Sequence, residues 1–366
     1  MKPKTLYDKI IDAHIIRQLD QQGNVLLYID RSILNEYTSP QAFSGLREAK
    51  RQVWQPKSIL LNVDHVNPTR PERTKEMTDP GGELQVRYFE SNSRDFGLEL
   101  FGVMDERQGI EHVVAHEQGM VLPGMVIAAG DSHTTTYGAF GAFGFGIGTS
   151  EIEHMLATQT LAYKKLKTLR VRVDGELPFA ATAKDIVMLL IAQIGADGAT
   201  GYAIEFCGEA IAALSVEGRM TVCNMAVEAG ARGAVMAPDD KGFAHIKSAP
   251  RVPKGGMWQQ ALAHWRTLHS DEGAVFDKEV VLDCANLTPR APGEPAPIKA
   301  AASPISFPPL PMSRTHPGGA TCNTRWPTWG LNPACRSAAS LSPTPLSAPA
   351  PTGVLKIYRR RTGAAR

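Results

Sequence analysis

The chain has 366 residues, a net charge of +2 and five cysteines, a length that predicts two or three domains, each with its own core. The near-zero charge indicates no nucleic-acid or membrane partner. No apolar run approaches the roughly 20 residues that span a bilayer, and the start lacks the apolar core of a signal peptide. Because the cysteines are sparse and form no C-x-x-C pair, we expect a reducing, cytoplasmic location.

The first part of the chain predicts alternating helices and strands. The elements are an amphipathic helix at 5–17, buried strands at 24–29 and 59–63, and a helix that begins at Pro40. The second strand stops at Asp64 and His65. An aspartate beside a histidine is more often a structural pair than a catalytic one, so this pair alone indicates catalysis only weakly.

The central stretch repeats this arrangement. A short apolar strand at 126–129 ends in Gly130 and is followed by Asp131, Ser132 and His133. Ligands bind at the carboxyl ends of strands in open α/β sheets, so these three residues are candidates for a ligand site. The alternative is that they form a solvated turn. The glycines between 138 and 148 predict tight turns and a backbone that comes close to a bound ligand. They match no dinucleotide-binding fingerprint, which excludes a nucleotide site of that type.

The next elements continue the alternation to residue 289. They are a helix near 149 in which Ser150 and Glu153 have capping-box spacing, a strand at 169–173, helices at 184–194 and 258–269, and a strand at 279–283. Asn224 and Glu228 are four residues apart, so on one helix they would share a face, with a surface polar pair as the alternative. The alternation predicts the α/β class.

The composition changes sharply near residue 290. Residues 290–366 hold ten of the Lys and Arg residues, one acidic residue and 14 of the 26 prolines. Their net charge is +9, which leaves −7 for residues 1–289. This segment has no hydrophobic periodicity, so we predict a disordered tail rich in Pro, Ala and Ser.

Six segments of residues 1–289 carry recognisable motifs. They are TLYDK (5–9), TSPQAF (38–43), GDSHT (130–134), GIGTSEIEH (146–154), EFCGEAI (205–211) and EGRMTVCNM (217–225). Together they resemble the aconitase superfamily, and within it the branch of 3-isopropylmalate dehydratase large subunits. The resemblance implies the first two of three aconitase-like, three-layer α/β domains, at 1–165 and 166–289, followed by the tail at 290–366.

The resemblance also implies a function. This branch interconverts 2- and 3-isopropylmalate, small 2-hydroxy-dicarboxylates of leucine biosynthesis, by dehydration and rehydration. A separate small subunit carries the general-base serine. In this chain Asp64 and His65 would handle the leaving hydroxyl group. The implied imidazole–carboxylate pairs are His112 with Asp131 and His133 with Glu228, and the implied substrate and cluster pocket residues are Gln41, Ser132 and Asn224.

The cysteine motifs of the family do not occur in this sequence. The family holds a [4Fe-4S] cluster through one cysteine in GSCTN and two in GCxxC, and one iron acts as the Lewis acid. Neither motif is present here, and Cys207 and Cys223 lie in segments that do not bind the cluster. Three thiolates are needed to hold such a cubane, so we expect no metal ligands and no bound cluster in this chain.

A frameshift near residues 289 and 290 would explain the loss. The DNA for residues 348–358 can be written so that reading it one base earlier yields GSCTNGRIEDL, and residues 291–299 and 325–336 yield family-like segments in the same frame. We therefore hypothesise a truncated product with little or no activity. The alternatives are a functional hydro-lyase subunit and a non-catalytic protein that keeps the substrate pocket or docks the small subunit.

Overall fold

Helices and short strands alternate along the part of the chain that the computed structural model describes, which is residues 2–69, 74, 77 and 79–289. The α-helices in these residues are α1 (Leu6–His14), α2 (Pro40–Glu48), α3 (Pro80–Phe96), α4 (Glu111–Glu117), α5 (Thr149–Thr158), α6 (Ala183–Ile194), α7 (Glu209–Ala213), α8 (Val216–Asn224), α9 (Asp240–Ile246) and α10 (Gly256–Trp265). Short 3₁₀ segments cover Pro56–Ser58, Ser132–Phe140 and Met225–Ala229. None of the helices in the described ranges is long and apolar enough to cross a membrane.

The strands form four small sheets. They are β1 (Ile15–Gln18), β2 (Asn24–Tyr28), β3 (Ser32–Leu34), β4 (Ile59–Asn62), β5 (Glu99–Phe101), β6 (Val126–Ala129), β7 (Phe143–Gly146), β8 (Thr160–Lys164), β9 (Lys167–Asp174), β10 (Tyr202–Cys207), β11 (Gly233–Val235) and β12 (Lys278–Asp283). The sheet β1-β2-β8 is antiparallel, whereas β3-β4-β5, β6-β7 and β11-β10-β9-β12 are parallel. This architecture confirms the predicted α/β class.

The described residues belong to one unit, Met1–Pro304. The antiparallel sheet ends with β8 and the largest parallel sheet begins with β9, so the change of sheet falls beside the predicted boundary at 165/166. That division into two domains stays a prediction. The predicted disordered tail at 290–366 lies outside the described residues.

The predicted helix at 5–17 is too long. Helix α1 ends at His14, and the next residues form β1, in which Ile15 pairs with Leu27 of β2. β-Branched side chains such as Ile15 and Ile16 fit a pleated strand better than a helix end. The imidazole of His14 closes the helix, because its Nδ1 lies 2.7 Å from the carbonyl oxygen of Ile10 and its Nε2 lies 2.7 Å from Asp30 Oδ2.

The predicted capping box at the start of α5 is also wrong. The N-cap is Gly148, whose backbone N–H donates to Glu151 Oε2 at 2.9 Å. The predicted pair Ser150 and Glu153 lies inside the helix instead. The helix starts earlier than its Ser-x-x-Glu pattern indicates because the glycine leaves β7 in an extended conformation that suits an N-cap.

Two buried parallel strands position the residues of the central stretch. All four residues of β4 and all four of β6 are buried, as expected for strands covered on both faces. Arg31, the residue before β3, forms an isolated parallel bridge with Ile127 of β6, so the sheet β3-β4-β5 lies beside β6. The carboxyl ends of β4 and β6 therefore deliver their polar residues to the same region.

The glycine-rich stretch after β6 packs against the protein itself. The segment Ser132–Phe140 is buried from Thr134 onward, and Met236 N–H donates to the carbonyl oxygen of Gly138 at 3.0 Å. A Cβ atom on Gly138 would overlap the carbonyl oxygen of Ala234, and one on Gly144 would overlap that of Thr134. The glycines thus allow contact between backbone segments, whereas the sequence predicted close approach to a ligand.

Candidate active site

A cleft of about 500 Å³ opens where β4 and β6 end. It is lined by Asp64, His65, Ile110, His112, Asp131, His133 and Asn224. All of these except Ile110 are residues that the sequence proposed for the site. Residues from four distant segments therefore meet in one place, which is the behaviour expected of a functional cleft at the ends of parallel strands.

Asp131 lies at the centre of the cleft and joins two imidazoles. Its Oδ1 lies 3.1 Å from His112 Nε2, and its Oδ2 lies 3.2 Å from His65 Nε2. It also caps the 3₁₀ segment by accepting the backbone N–H of His133 at 2.6 Å. Burial by itself raises the pKa of Asp131, but the hydrogen bonds to His112 and His65 outweigh it and hold the pKa far below its ordinary range. Asp131 is therefore a carboxylate at neutral pH.

His65 is held between two carboxylates. In addition to Asp131, its Nδ1 lies 2.5 Å from Asp64 Oδ1, and its ring stacks on Tyr37 with the planes 9° apart. The hydrogen bonds to Asp131 and then Asp64 raise the pKa of His65 from 6.5 to about 10. His65 is therefore an imidazolium at neutral pH and a source of a proton.

His133, Glu228 and Asn224 make longer or fewer contacts in the cleft than His65 and Asp131 do. His133 Nε2 lies 3.4 Å from Glu228 Oε1, and Asn224 donates to Thr136 Oγ1 at 2.9 Å. Asn224 ends α8 and Glu228 follows in a 3₁₀ segment, so the two residues do not lie on one continuous α-helix.

Two of the predicted pocket residues lie outside the lining of the cleft. Ser132 Oγ lies 3.3 Å from His133 Nδ1, but Ser132 is not a lining residue. Gln41 is exposed in the first turn of α2 and does not line the cleft.

Glu36 is a residue of this site that the sequence did not reveal. Its buried carboxylate accepts the backbone N–H groups of Asp64 at 3.1 Å, His65 at 2.7 Å and Val66 at 2.6 Å. Charge-assisted hydrogen bonds of this kind are stronger than neutral ones. Glu36 therefore holds the segment that carries Asp64 and His65. One glutamate shortly after a predicted strand gives no sequence signal for such a role.

Glu111 is a second residue that the sequence did not single out. It is 1% exposed, its N–H donates to Asp64 Oδ2 at 2.7 Å, and its side chain lies next to His112. Burial, followed by the negative charge of Asp64, raises the pKa of Glu111 well above its ordinary value. A buried carboxyl group of this type holds a proton at pH values where an exposed glutamate is ionised.

Two groups of side chains lie close enough to share a cation. They are Glu36, Asp64 and His65, and Glu111, His112 and Asp131. The carboxylates of Glu36, Asp64 and Asp131 already accept backbone or imidazole hydrogens, and Glu111 Oε2 accepts from the side-chain amide of Asn35. These hydrogen bonds occupy most of the oxygen atoms that a cation would need.

The cysteines of the described residues do not fit an iron–sulfur cluster. Cys207, Cys223 and Cys284 are free, and none of them joins a potential metal-binding group within the described ranges. Burial raises the pKa of each of these thiols, whereas a cluster is held by thiolates. Cys322 and Cys335 lie outside the described residues.

A second cleft of about 590 Å³ is less suited to catalysis. It is lined by residues that include Glu217, Lys241 and His245. Lys241 Nζ donates to three carbonyl oxygens around the end of α7, at 2.9, 3.1 and 2.6 Å. Lys241 therefore serves as a helix C-terminal cap, and the cleft lacks the linked acid–base groups of the first one.

The pKa of His65 makes stability depend on pH. Because the folded pKa of about 10 exceeds 6.5, protonated His65 stabilises the fold below pH 6.5, and this contribution is lost as the pH rises towards 10. We expect the thermal midpoint of wild type to fall more than that of His65→Gln over this range. The measurement is circular dichroism melting at several pH values. His264→Gln, at an exposed position of α10, is the matched control and should keep the wild-type slope. Equal slopes for His65→Gln and wild type would contradict the assignment.

Comparison with known proteins identifies related chains. Residues 8–307 match the aconitase family (aconitate hydratase). The chain is 74% identical over 286 residues to 3-isopropylmalate dehydratase large subunit 1 of Mannheimia succiniciproducens, covering 78% of this chain and 60% of that protein. It is 71% identical over 290 residues to 3-isopropylmalate dehydratase large subunit 2 of Salmonella typhimurium, covering 79% and 61%. The chain thus spans about three fifths of the length of these relatives.

Proposed function

Since the chain belongs to the aconitase family, we propose that it carries the acid–base part of a hydro-lyase site for isopropylmalate. The reaction is the interconversion of 2- and 3-isopropylmalate in leucine biosynthesis, as the names of the relatives suggest. The observation that carries the proposal is the linked set Asp64–His65–Asp131–His112 in one cleft. Loss and addition of water require one group that protonates the departing hydroxyl and another that removes a proton from carbon.

The charges of the cleft suit the first of these steps. His65 is protonated at neutral pH because two carboxylates flank it, so it can donate a proton to a departing hydroxyl group. Asp64 and Asp131 orient the ring and stabilise its charge. We assign the same orienting role to Asp131 towards His112 and to Glu228 towards His133. Asn224 lines the substrate pocket, and Gln41 and Ser132 remain predicted pocket residues.

We further propose that this chain as written holds no [4Fe-4S] cluster and has little activity. The missing cysteine motifs and the raised pKa values of the three thiols in the described residues support this view. The small subunit of the dehydratase is the proposed partner and the cytoplasm the proposed location, and no nucleic acid or membrane is part of the proposal.

A frameshift at about residue 289 is the proposed origin of the tail. The similarity to the two relatives extends over 286 and 290 residues, which is close to the position where the composition changes, although the family match reaches residue 307. Sequencing the gene tests the idea. We expect a single-base change near codon 289 to restore a long frame that contains the GSCTN motif, and its absence would refute the frameshift.

Iron content and activity test the proposed function. We expect the purified chain to contain no stoichiometric iron, to lack the visible absorption of a cluster, and not to dehydrate 3-isopropylmalate when mixed with the small subunit. We expect the frame-restored chain to contain iron, to show the visible absorption of a cluster and to dehydrate 3-isopropylmalate with the small subunit. We expect His65→Asn in that chain to abolish the activity. Iron and activity in the chain as written would refute its proposed inactivity. An active frame-restored chain that is indifferent to His65→Asn would refute the proposed site.

A non-catalytic binding protein is the second candidate. The observation in its favour is that the cleft and its ion pairs are complete without the cysteine motifs. Calorimetry separates the two candidates. Binding of 3-isopropylmalate by the chain as written would favour the binding protein, whereas absence of binding would favour an inactive product.

A further inference from the structure

The buried carboxyl group of Glu111 is fixed behind the cleft from two directions. Its backbone N–H donates to Asp64 Oδ2 at 2.7 Å, and its side-chain Oε2 accepts Asn35 Nδ2–H at 3.0 Å. Its other oxygen, Oε1, is buried and has no hydrogen-bond partner among the described residues. An unpartnered carboxylate oxygen in this environment would be costly, so the state of Oε1 needs an explanation.

The orientation of Asn35 determines which oxygen of Glu111 can carry a proton. Asn35 Oδ1 accepts from Tyr37 N at 3.1 Å, Thr38 N at 3.0 Å and Thr38 Oγ1 at 2.9 Å. Its amide group therefore presents the NH₂ side to Glu111. Because Oε2 accepts from this donor, a protonated Glu111 carries its hydrogen on Oε1.

His112 Nδ1 is a buried acceptor beside this hydrogen. It is buried, it also lacks a hydrogen-bond partner within the described residues, and it lies 3.9 Å from Glu111 Oε1. The opposite ring nitrogen, Nε2, faces the carboxylate of Asp131 at 3.1 Å. The two nitrogens of one imidazole thus face two carboxyl groups of different character.

We propose that Glu111 is a positioning residue of this site, a buried carboxylic acid that directs its Oε1 proton at His112 Nδ1 and so makes His112 present Nε2–H to Asp131. If the proton moves from Oε1 to Nδ1, the acid becomes a carboxylate and the imidazole an imidazolium, and no other reactant is needed. The assignment is independent of the reaction that the cleft serves.

The charged groups around Glu111 support the protonated form. Asp64, from the end of β4, and Asp131, after β6, both place negative charge near it, whereas His65 places positive charge. Burial and the two aspartates together outweigh His65 and the hydrogen bond from Asn35, so the pKa of Glu111 is raised. Tyr137, in the 3₁₀ segment, is fully buried beside these groups and its pKa is also raised, so it adds no charge.

The first test is the pH dependence of stability in Glu111→Gln. The raised pKa means that wild type loses stability as the pH rises above the unfolded value near 4.5, because only the unfolded state then releases the proton freely. Glutamine is always neutral, so it does not lose stability in this way. The thermal unfolding midpoint of Glu111→Gln minus that of wild type should therefore rise with pH. Glu117→Gln, exposed on the same helix, is the matched control and should show a flat difference. A flat difference for Glu111→Gln would overturn the assignment.

The second test reads the histidine directly and needs no stable Glu111 variant. In the full chain labelled with ¹⁵N-histidine, long-range ¹H–¹⁵N spectra distinguish a protonated from an unprotonated ring nitrogen. We expect the His112 signals, assigned by their loss in His112→Asn, to show an unprotonated Nδ1 and a protonated Nε2 at neutral pH. A neutral ring that carries its hydrogen on Nδ1 would overturn the proposal.

Discussion

Gly138→Ala is expected to destabilise the fold by about 3 kcal/mol or more, because the added methyl group has no space. Its Cβ would overlap the carbonyl oxygen of Ala234 and lie 2.7 Å from the carbonyl carbon and 3.0 Å from Val235 Cα. These are backbone atoms of β11, which pairs with β10 and cannot move aside as a flexible side chain could. The strain would also displace the 3₁₀ segment that begins with Ser132 and His133.

Chemical denaturation measures this effect, and Gly102→Ala is the matched control. A Cβ on Gly102 meets no atom within 4 Å, so the same substitution there should change the free energy of unfolding by less than about 1 kcal/mol. Equal effects of the two substitutions would show that the close contact at Gly138 does not exist in solution. If Gly138→Ala yields no folded protein while Gly102→Ala does, the expectation is met in its strongest form.

Glu36→Gln is expected to cost roughly 2–4 kcal/mol and to release the segment of Asp64 and His65. The carboxylate accepts three consecutive backbone N–H groups, and Oε2 alone serves Asp64 N. A glutamine offers one oxygen, so its NH₂ group would face one of these donors and leave it unpaired in a buried position. The charge that strengthens the other two hydrogen bonds would also be lost.

The measurement combines denaturation with the titration of His65 by NMR. If Asp64 is released, the pKa of His65 should fall from about 10 towards 6.5, because part of its rise comes from the hydrogen bond to Asp64. Glu48→Gln, exposed at the end of α2, removes the same charge without a buried partner and serves as the control. Unchanged stability and an unchanged His65 titration in Glu36→Gln would rule out the role given to Glu36.

The sequence predicted the elements better than their ends. The strands at 59–63 and 169–173 and the helix at 184–194 are found within one or two residues, because hydrophobic periodicity is a local property. The helix at 5–17 was predicted too long and the cap of α5 two residues too late. These ends depend on the pairing of Ile15 with β2 and on the path from β7 into α5, which are contacts made after the chain has folded.

By itself the sequence determined the α/β class and the family and predicted a set of acid–base residues, because strand ends and motifs are written in consecutive residues. The placement of Asp131 between His65 and His112 was decided only by the tertiary structure, since these residues come from three separate segments. Glu36 and Glu111 could not be found from the sequence for the same reason. Their importance depends on burial and on distant hydrogen-bond partners. Glu36 accepts from donors 28 to 30 residues away, and Glu111 donates to Asp64, 47 residues away, and accepts from Asn35, 76 residues away. No local pattern records burial or such partners.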